Sequence, residues 1–186
     1  MTNNIHKFGG SSLSSAERYK SVAKIIIGQA QPGDCVVVSA AGKTTDTLVK
    51  LWQSYQQHDT QALADIVLQL NNHQSDLITQ LLQGDLKRSA LTTLNEELSL
   101  VAKLASTEQL QEAALLAHGE LWSARLLAAY LQQLNVAACM QDARGLFTLS
   151  DGQLLHSQNT QQCSELISQH KINVVTGFIA ANTQGD

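Results

Sequence analysis

Ile5-His6-Lys7-Phe8-Gly9-Gly10-Ser11-Ser12 reads as a short strand that runs into a glycine pair and then a hydroxyl-rich turn. A glycine pair lets backbone N–H groups approach a ligand closely, because no Cβ stands in the way. Backbone amides, a helix N-terminus and the lysine at the strand end together suit a phosphate or a carboxylate. The same residues also fit a plain strand-to-helix turn with a surface lysine.

Working outward, Ser14 and Glu17 have capping-box spacing. Ala16, Tyr19, Ala23, Ile26 and Ile27 then recur at helical spacing. This helix is expected to stop at Gly28 or by Pro32-Gly33. Cys35-Val36-Val37-Val38-Ser39 follows as a continuous apolar strand, the pattern of a strand covered on both faces. Strand, helix and strand make a βαβ unit with a right-handed crossover. If the two strands are parallel neighbours, the loops after Phe8 and after Ser39 open on one edge, where open α/β sheets bind ligands.

Beyond Ser39, a helix is expected from about Thr45 to Gln56. Leu63, Val67, Leu70, Leu77 and Leu81 line a second helix, and Leu91, Leu94, Leu98, Val101 and Ala105 a third, with Gly84-Asp85 between them. These stripes read as core packing, in a helical hairpin inserted over about residues 58–106. Ser106 and Gln109 form a second capping-box pattern at the head of a long helix to about Gln133. Its expected buried face is Ala113, Ala114, Ala117, Leu121, Ala124 and Ala128. Strands are expected over Val136–Met140 and Ile172–Gly177, with a helix near Thr160–His170 between them. Phe178–Ala181 reads as extended, and Asn182-Thr183-Gln184-Gly185-Asp186 as turn chemistry with no return strand. The expectation is a single, incomplete α/β domain over residues 1–186, cut in or just before a hairpin. It is a three-layer sandwich with a mainly parallel sheet and an inserted helical hairpin.

The chain has 186 residues, 44% of them apolar and 15% charged, which fits a folded globular domain rather than a disordered one. A net charge of −4 argues against nucleic acid or an anionic membrane surface as partner. No stretch approaches the roughly 18 apolar residues of a membrane span. Met1-Thr2-Asn3-Asn4 lacks a basic and an apolar leader region, so no secretory signal is expected. Cys35, Cys139 and Cys163 lack metal spacing and read as small buried residues in a reducing cytoplasm. The six histidines show no ligand pairing, so no metal site is expected.

Three further constellations carry possible chemistry. Ala41-Gly42-Lys43-Thr44-Thr45 looks like the end of a phosphate-binding P-loop, but the motif's first glycine would fall on Val37, inside a strand. What remains is a loop with Ser39, Lys43, Thr44 and Thr45 at a helix N-terminus; either threonine also suits capping, and Lys43 suits solvent. Within His118-Gly119-Glu120, Glu120 falls on the shoulder of the alanine face, where a carboxylate is costly without a partner. A cation, a ligand ammonium, or a path to solvent past the stripe would each resolve that cost. Gly119 inside a helix costs roughly 1 kcal/mol against alanine, so it allows a close approach. Asp142 and Arg144 fit a local ion pair as well as a ligand contact.

HKFGGSS, VVVSAAGKTTD, AHGELWSARLLAAYL, DAR and VVTGFI occur in the order and at about the spacing of aspartokinase catalytic domains, so the chain resembles this branch of the amino acid kinase family. HGE-W-SARL and VVTGFI are most similar to the methionine-branch bifunctional aspartokinase–homoserine dehydrogenases. The resemblance implies transfer of a phosphoryl group from MgATP to the β-carboxylate of L-aspartate, giving 4-phospho-L-aspartate. That is the first step toward threonine, methionine and lysine. It implies Lys7 as catalytic residue; Lys7, Gly9, Gly10 and Ser11 at the ATP phosphates; and Ser39, Thr45 and Glu120 at aspartate. It also implies ATP and Mg²⁺, NADP for a dehydrogenase region outside this chain, a cytoplasmic homo-oligomer, and no nucleic acid or membrane partner. The family's Gly-Arg-x-Gly-Ser-Asp segment, which contacts the aspartate α-carboxylate, does not occur in these residues. Two other classes stay open: a kinase of the same fold with a different acceptor, and a non-catalytic interaction module.

Overall fold

The computed structural model describes residues 4–150, 153–154 and 156–182. The first three residues and the turn chemistry of 183–186 lie outside it. Four parallel strands form the central sheet in the order β1-β2-β6-β3: β1 (Ile5–Phe8), β2 (Cys35–Val38), β6 (Ile172–Thr176) and β3 (Ala138–Gln141). Lys7 lies level with Val37, and Val37 level with Val175. All four strand ends therefore open on one edge.

Two apolar layers cover this sheet. On one face Val36, Val38 and Val174 are fully buried against α1 (Ala16–Gln29), α2 (Thr44–Gln56) and α5 (Glu112–Gln133). On the other, Cys35, Val37 and Val175 meet Ala143 and Leu146 of α6 (Ala143–Leu146) and Cys163 of α7 (His156–Leu166). β6, in the sheet interior, is buried along its whole length. The three-layer parallel α/β arrangement expected from the sequence is the observed one.

The inserted hairpin is α3 (Thr60–Leu81) and α4 (Gly84–Ser106). Leu70, Leu77, Leu81, Leu94, Leu98 and Val101 are buried and continuous with the main core, while Leu63, Val67, Leu91 and Ala105 are half-buried. Polar ties fix its position. Gln74 donates to Thr44 Oγ1 (3.1 Å), joining α3 to α2. Gln133 of α5 accepts from Gln83 N and donates to Leu81 O at the hairpin turn. Midway, Arg125 of α5 pairs with both oxygens of Glu97 (3.0 and 2.9 Å), and Trp122 Nε1 donates to the same carboxylate.

Several local expectations are corrected. The Ser14–Glu17 box does not form: Ser15 is the N-cap, accepting from Arg18 N. Ser14 instead donates to Ser11 O, closing the 3₁₀ turn Gly10–Leu13. α1 ends at Gln29, ahead of Pro32-Gly33 as expected, but Ile27 on its expected stripe is exposed, and Val22 fills the core position. The Ser106–Gln109 box is also absent, because α4 runs through Ser106, whose hydroxyl donates back to Lys103 O. α5 begins only at Glu112, leaving Ala113 and Ala114 exposed. The three cysteines are half-buried rather than buried. The strand expected from Val136 starts at Ala138, and the last helix begins earlier, at His156. A small second sheet, β5-β4-β7 with β4 (Thr148–Ser150), β5 (Gln153–Leu154) and β7 (Ala181–Asn182), has no counterpart in the sequence reading beyond the extended Phe178–Ala181.

Candidate active site

Phe8 delivers the chain to Gly9 and Gly10 at the open edge, and Ser39 N donates to Phe8 O across the strand ends. A Cβ on Gly10 would lie 2.5 Å from Ala40 O, so only glycine lets the first loop pack on the second. Gly42 N donates to Gly10 O and closes that contact. A Cβ on Gly9 would meet nothing within 4 Å, and Gly9, Ser11 and Lys7 are exposed. The first loop therefore presents an open backbone face beside an exposed lysine.

The second loop leads into α2. Thr44 is buried and donates to Ala41 O (2.7 Å) rather than capping the helix, whose N-cap is Lys43 without a side-chain bond. Thr45 is exposed toward the cleft. Ser39 is half-buried, and its carbonyl accepts from Ser123 Oγ (2.7 Å) on α5.

Glu120 reaches the same loop from α5. It is 7% exposed, and its Oε1 accepts from Ala40 N at 3.2 Å. The solvent path open to a shoulder position is not taken. A Cβ on Gly119 would stand 2.8 Å from Ala40 Cβ, with Leu48 and Thr45 next nearest, so the glycine lets α5 approach the loop that Glu120 grips. Burial raises the pKa of Glu120; the Ala40 N–H and, more weakly, the Lys7 charge work against that rise. A buried, ionisable carboxylate with one backbone donor retains capacity for a cation.

Thr45, Ala117 and Glu120 form one wall of a cleft of ≈580 Å³; Arg144, Leu149 and Phe178 line the other side. Lys7 does not line this cleft itself but stands beside it, its Nζ 4.7 Å from the centroid of the Phe178 ring that does. Arg144 pairs with Asp142 through Nε and Nη2 (2.6 Å at the shortest), the local ion pair that the sequence allowed. Burial alone would raise the Asp142 pKa, but its bonds to Arg144 hold it below the ordinary carboxylate value. Arg144 lines the cleft, as the sequence allowed, and Phe178 is a cleft residue that sequence reasoning did not single out, because no compositional cue signals it. The fold thus brings Lys7, Gly9, Gly10, Ser39, Thr45 and Glu120 to one edge, with Ser11 on the outer turn. Among the described residues no group of three His, Cys, Asp or Glu could hold a metal ion. No helix of the described residues is long and apolar enough to cross a membrane.

Comparison with known proteins gives this edge a context. The profile described as the Amino acid kinase family matches residues 4–186. The chain is 35% identical over 189 residues to bifunctional aspartokinase/homoserine dehydrogenase 2 of Escherichia coli (strain K12), covering 98% of this chain and 23% of that protein. It is 30% identical over 195 residues to bifunctional aspartokinase/homoserine dehydrogenase 1, chloroplastic, of Arabidopsis thaliana, covering 97% and 21%. The chain thus spans less than a quarter of these relatives. Among solved structures, E. coli aspartokinase III with lysine and aspartate superposes with a TM-score of 0.84 at 20% identity, over 98% of this chain and 42% of that one. The same enzyme with aspartate and ADP gives 0.81 over 99% and 42%. At that identity the match speaks for the fold.

Proposed function

Because this chain belongs to the amino acid kinase family, as an aspartokinase-like domain, we propose that it is the N-terminal portion of an aspartokinase catalytic domain, with the α3–α4 hairpin as an insertion. The protein containing it would phosphorylate the β-carboxylate of L-aspartate with MgATP, giving 4-phospho-L-aspartate, the first step toward threonine, methionine and lysine. The observation that carries this reading is the buried Glu120 carboxylate, held by Ala40 N and facing the same cleft as Thr45, at the edge where Lys7 and the open Gly9 backbone lie.

The chemistry follows from charge. Both reactants are anionic, and phosphoryl transfer is catalysed mainly by positioning and by offsetting charge. The Lys7 ammonium is the catalytic group that neutralises the transferring phosphoryl, with backbone N–H groups of Gly9–Ser11 around the phosphates. Mg²⁺ arrives with the nucleotide, since Mg²⁺ is commonly held by substrate phosphates and few carboxylates. Glu120 takes the ammonium of aspartate, while Thr45 and Ser39 orient the amino acid. No general base is required, because the attacking carboxylate is ionised at neutral pH. A homoserine dehydrogenase region with NADP, a homo-oligomeric assembly and a cytoplasmic location complete the proposal; they rest on likeness to the bifunctional relatives and involve no site residue assigned in this chain.

Hydroxylamine trapping tests the reaction. The full-length protein with MgATP and L-aspartate should yield aspartyl hydroxamate and ADP in equal amounts. Lys7→Ala should abolish both, and residues 1–186 alone should give little or none. ADP formation indifferent to aspartate, or undiminished in Lys7→Ala, would count against the proposal.

A further inference from the structure

Phe178 is unusual in three independent ways. Its backbone is left-handed (φ 56°), a region where a bulky residue is an outlier. Its side chain is 85% exposed although it is a large hydrophobe. Its ring lies 4.7 Å from Lys7 Nζ, within cation–π range. The backbone explains how the ring arrives there. Gly177 N donates to Val38 O, so the chain leaving β6 passes over the end of β2, and the left-handed turn at Phe178 carries the ring on to β1. A local conformation that costs of order 1–3 kcal/mol persists only where the surroundings enforce it, and such residues cluster at functional sites.

The cleft poses an electrostatic problem that this ring addresses. Lys7 and Glu120 are opposite charges at one edge, close enough that the lysine stabilises the ionised glutamate. Yet no ion pair within 4.0 Å joins them among the described residues. If they collapsed onto one another, each would lose the charge it must offer to a ligand. A neutral aromatic face attracts the ammonium without competing strongly against a phosphate.

We propose that Phe178 is a positioning residue whose ring holds the Lys7 ammonium away from Glu120, so that lysine stays available to phosphate and glutamate to an ammonium. The role rests on the kinase reading above. It belongs to the ring's quadrupole rather than its bulk, which makes it separable from packing.

The test uses the full-length protein with Phe178 replaced by mono-, di- and trifluorinated phenylalanine, a series that keeps the ring's shape while weakening its negative face. The KM values for ATP and for aspartate should rise together in steps, by about 2- to 5-fold at the end of the series, the range of a cation–π contact at an exposed site. kcat at saturation should stay within twofold. Phe178→Leu should match the trifluoro protein, and Phe178→Tyr the wild type. In a Glu120→Gln background the ATP KM should no longer respond to fluorination, because the lysine has no carboxylate to fall onto. A flat series, or one that persists unchanged in the Glu120→Gln background, overturns the positioning role while wild-type turnover stands. Absence of aspartate-dependent turnover in the wild type would instead overturn the kinase reading itself.

Discussion

At the residue scale, Glu120 trades stability for chemistry. Burial raises its pKa above the ordinary value of 4.5. Relative to the unfolded chain, the fold therefore favours the protonated form. The sign follows: ionising Glu120 costs stability, and that cost grows as pH rises from the unfolded value through the raised folded one. Glu120→Gln, which keeps an acceptor for Ala40 N, is expected to match or exceed the wild type in Tm at neutral pH; a clear fall in Tm would contradict this. Under the proposed function, aspartate binding runs the other way, since the ligand ammonium needs the carboxylate ionised. The kcat/KM for aspartate should fall on the acid side, starting at a higher pH than an exposed glutamate would produce and approaching tenfold per pH unit. The limb should vanish in Glu120→Gln. Of this residue the helical spacing showed a shoulder position on an alanine face, and the family resemblance implied a place at aspartate. Its actual partner, Ala40 N, is eighty positions away, and only the close approach allowed by Gly119 brings the two together. Phe178 was illegible for a similar reason: nothing in Thr176-Gly177-Phe178 announces a left-handed phenylalanine.

At the element scale, the hairpin acts as a buttress. It grips both helices that supply cleft residues: α2 through Gln74–Thr44, and α5 through Gln133 and the Glu97–Arg125–Trp122 cluster. Arg125→Met keeps the stem's packing and removes the bidentate pair, leaving the carboxylate with the indole N–H alone. The expected cost is about 1–3 kcal/mol, the range for hydrogen bonds to charged groups, read as a lowered Tm. A double-mutant cycle with Glu97→Gln should give a coupling of about 0.5–3 kcal/mol; additive effects would mean that the pair does not join the helices. The elements themselves were largely legible, because the helical periods of α1 and the leucine stripes are long and regular and β2 is a continuous apolar run between breaker signals. Their ends were not. Ser14 and Ser106 have capping chemistry, but each hydroxyl is taken by a neighbouring carbonyl, of Ser11 and Lys103. β4, β5 and β7 are two or three residues long, too short for any alternation to register.

At the scale of the molecule, four parallel strands place their carboxyl ends on one edge, and the site follows from that topology. In the proposed function charge is divided along the edge: Lys7 and the glycine loop after β1 would face the phosphates, while Glu120 and Thr45 beyond β2 would face the amino acid. The division predicts that the two ligands are sensed by different residues. Steady-state kinetics of full-length Glu120→Gln measure it most directly. The aspartate KM should rise about 10- to 100-fold, as for loss of a charged hydrogen bond, with the ATP KM within twofold of wild type. Equal rises in both, or no change in the aspartate KM, would contradict the assignment of this edge to aspartate and ATP.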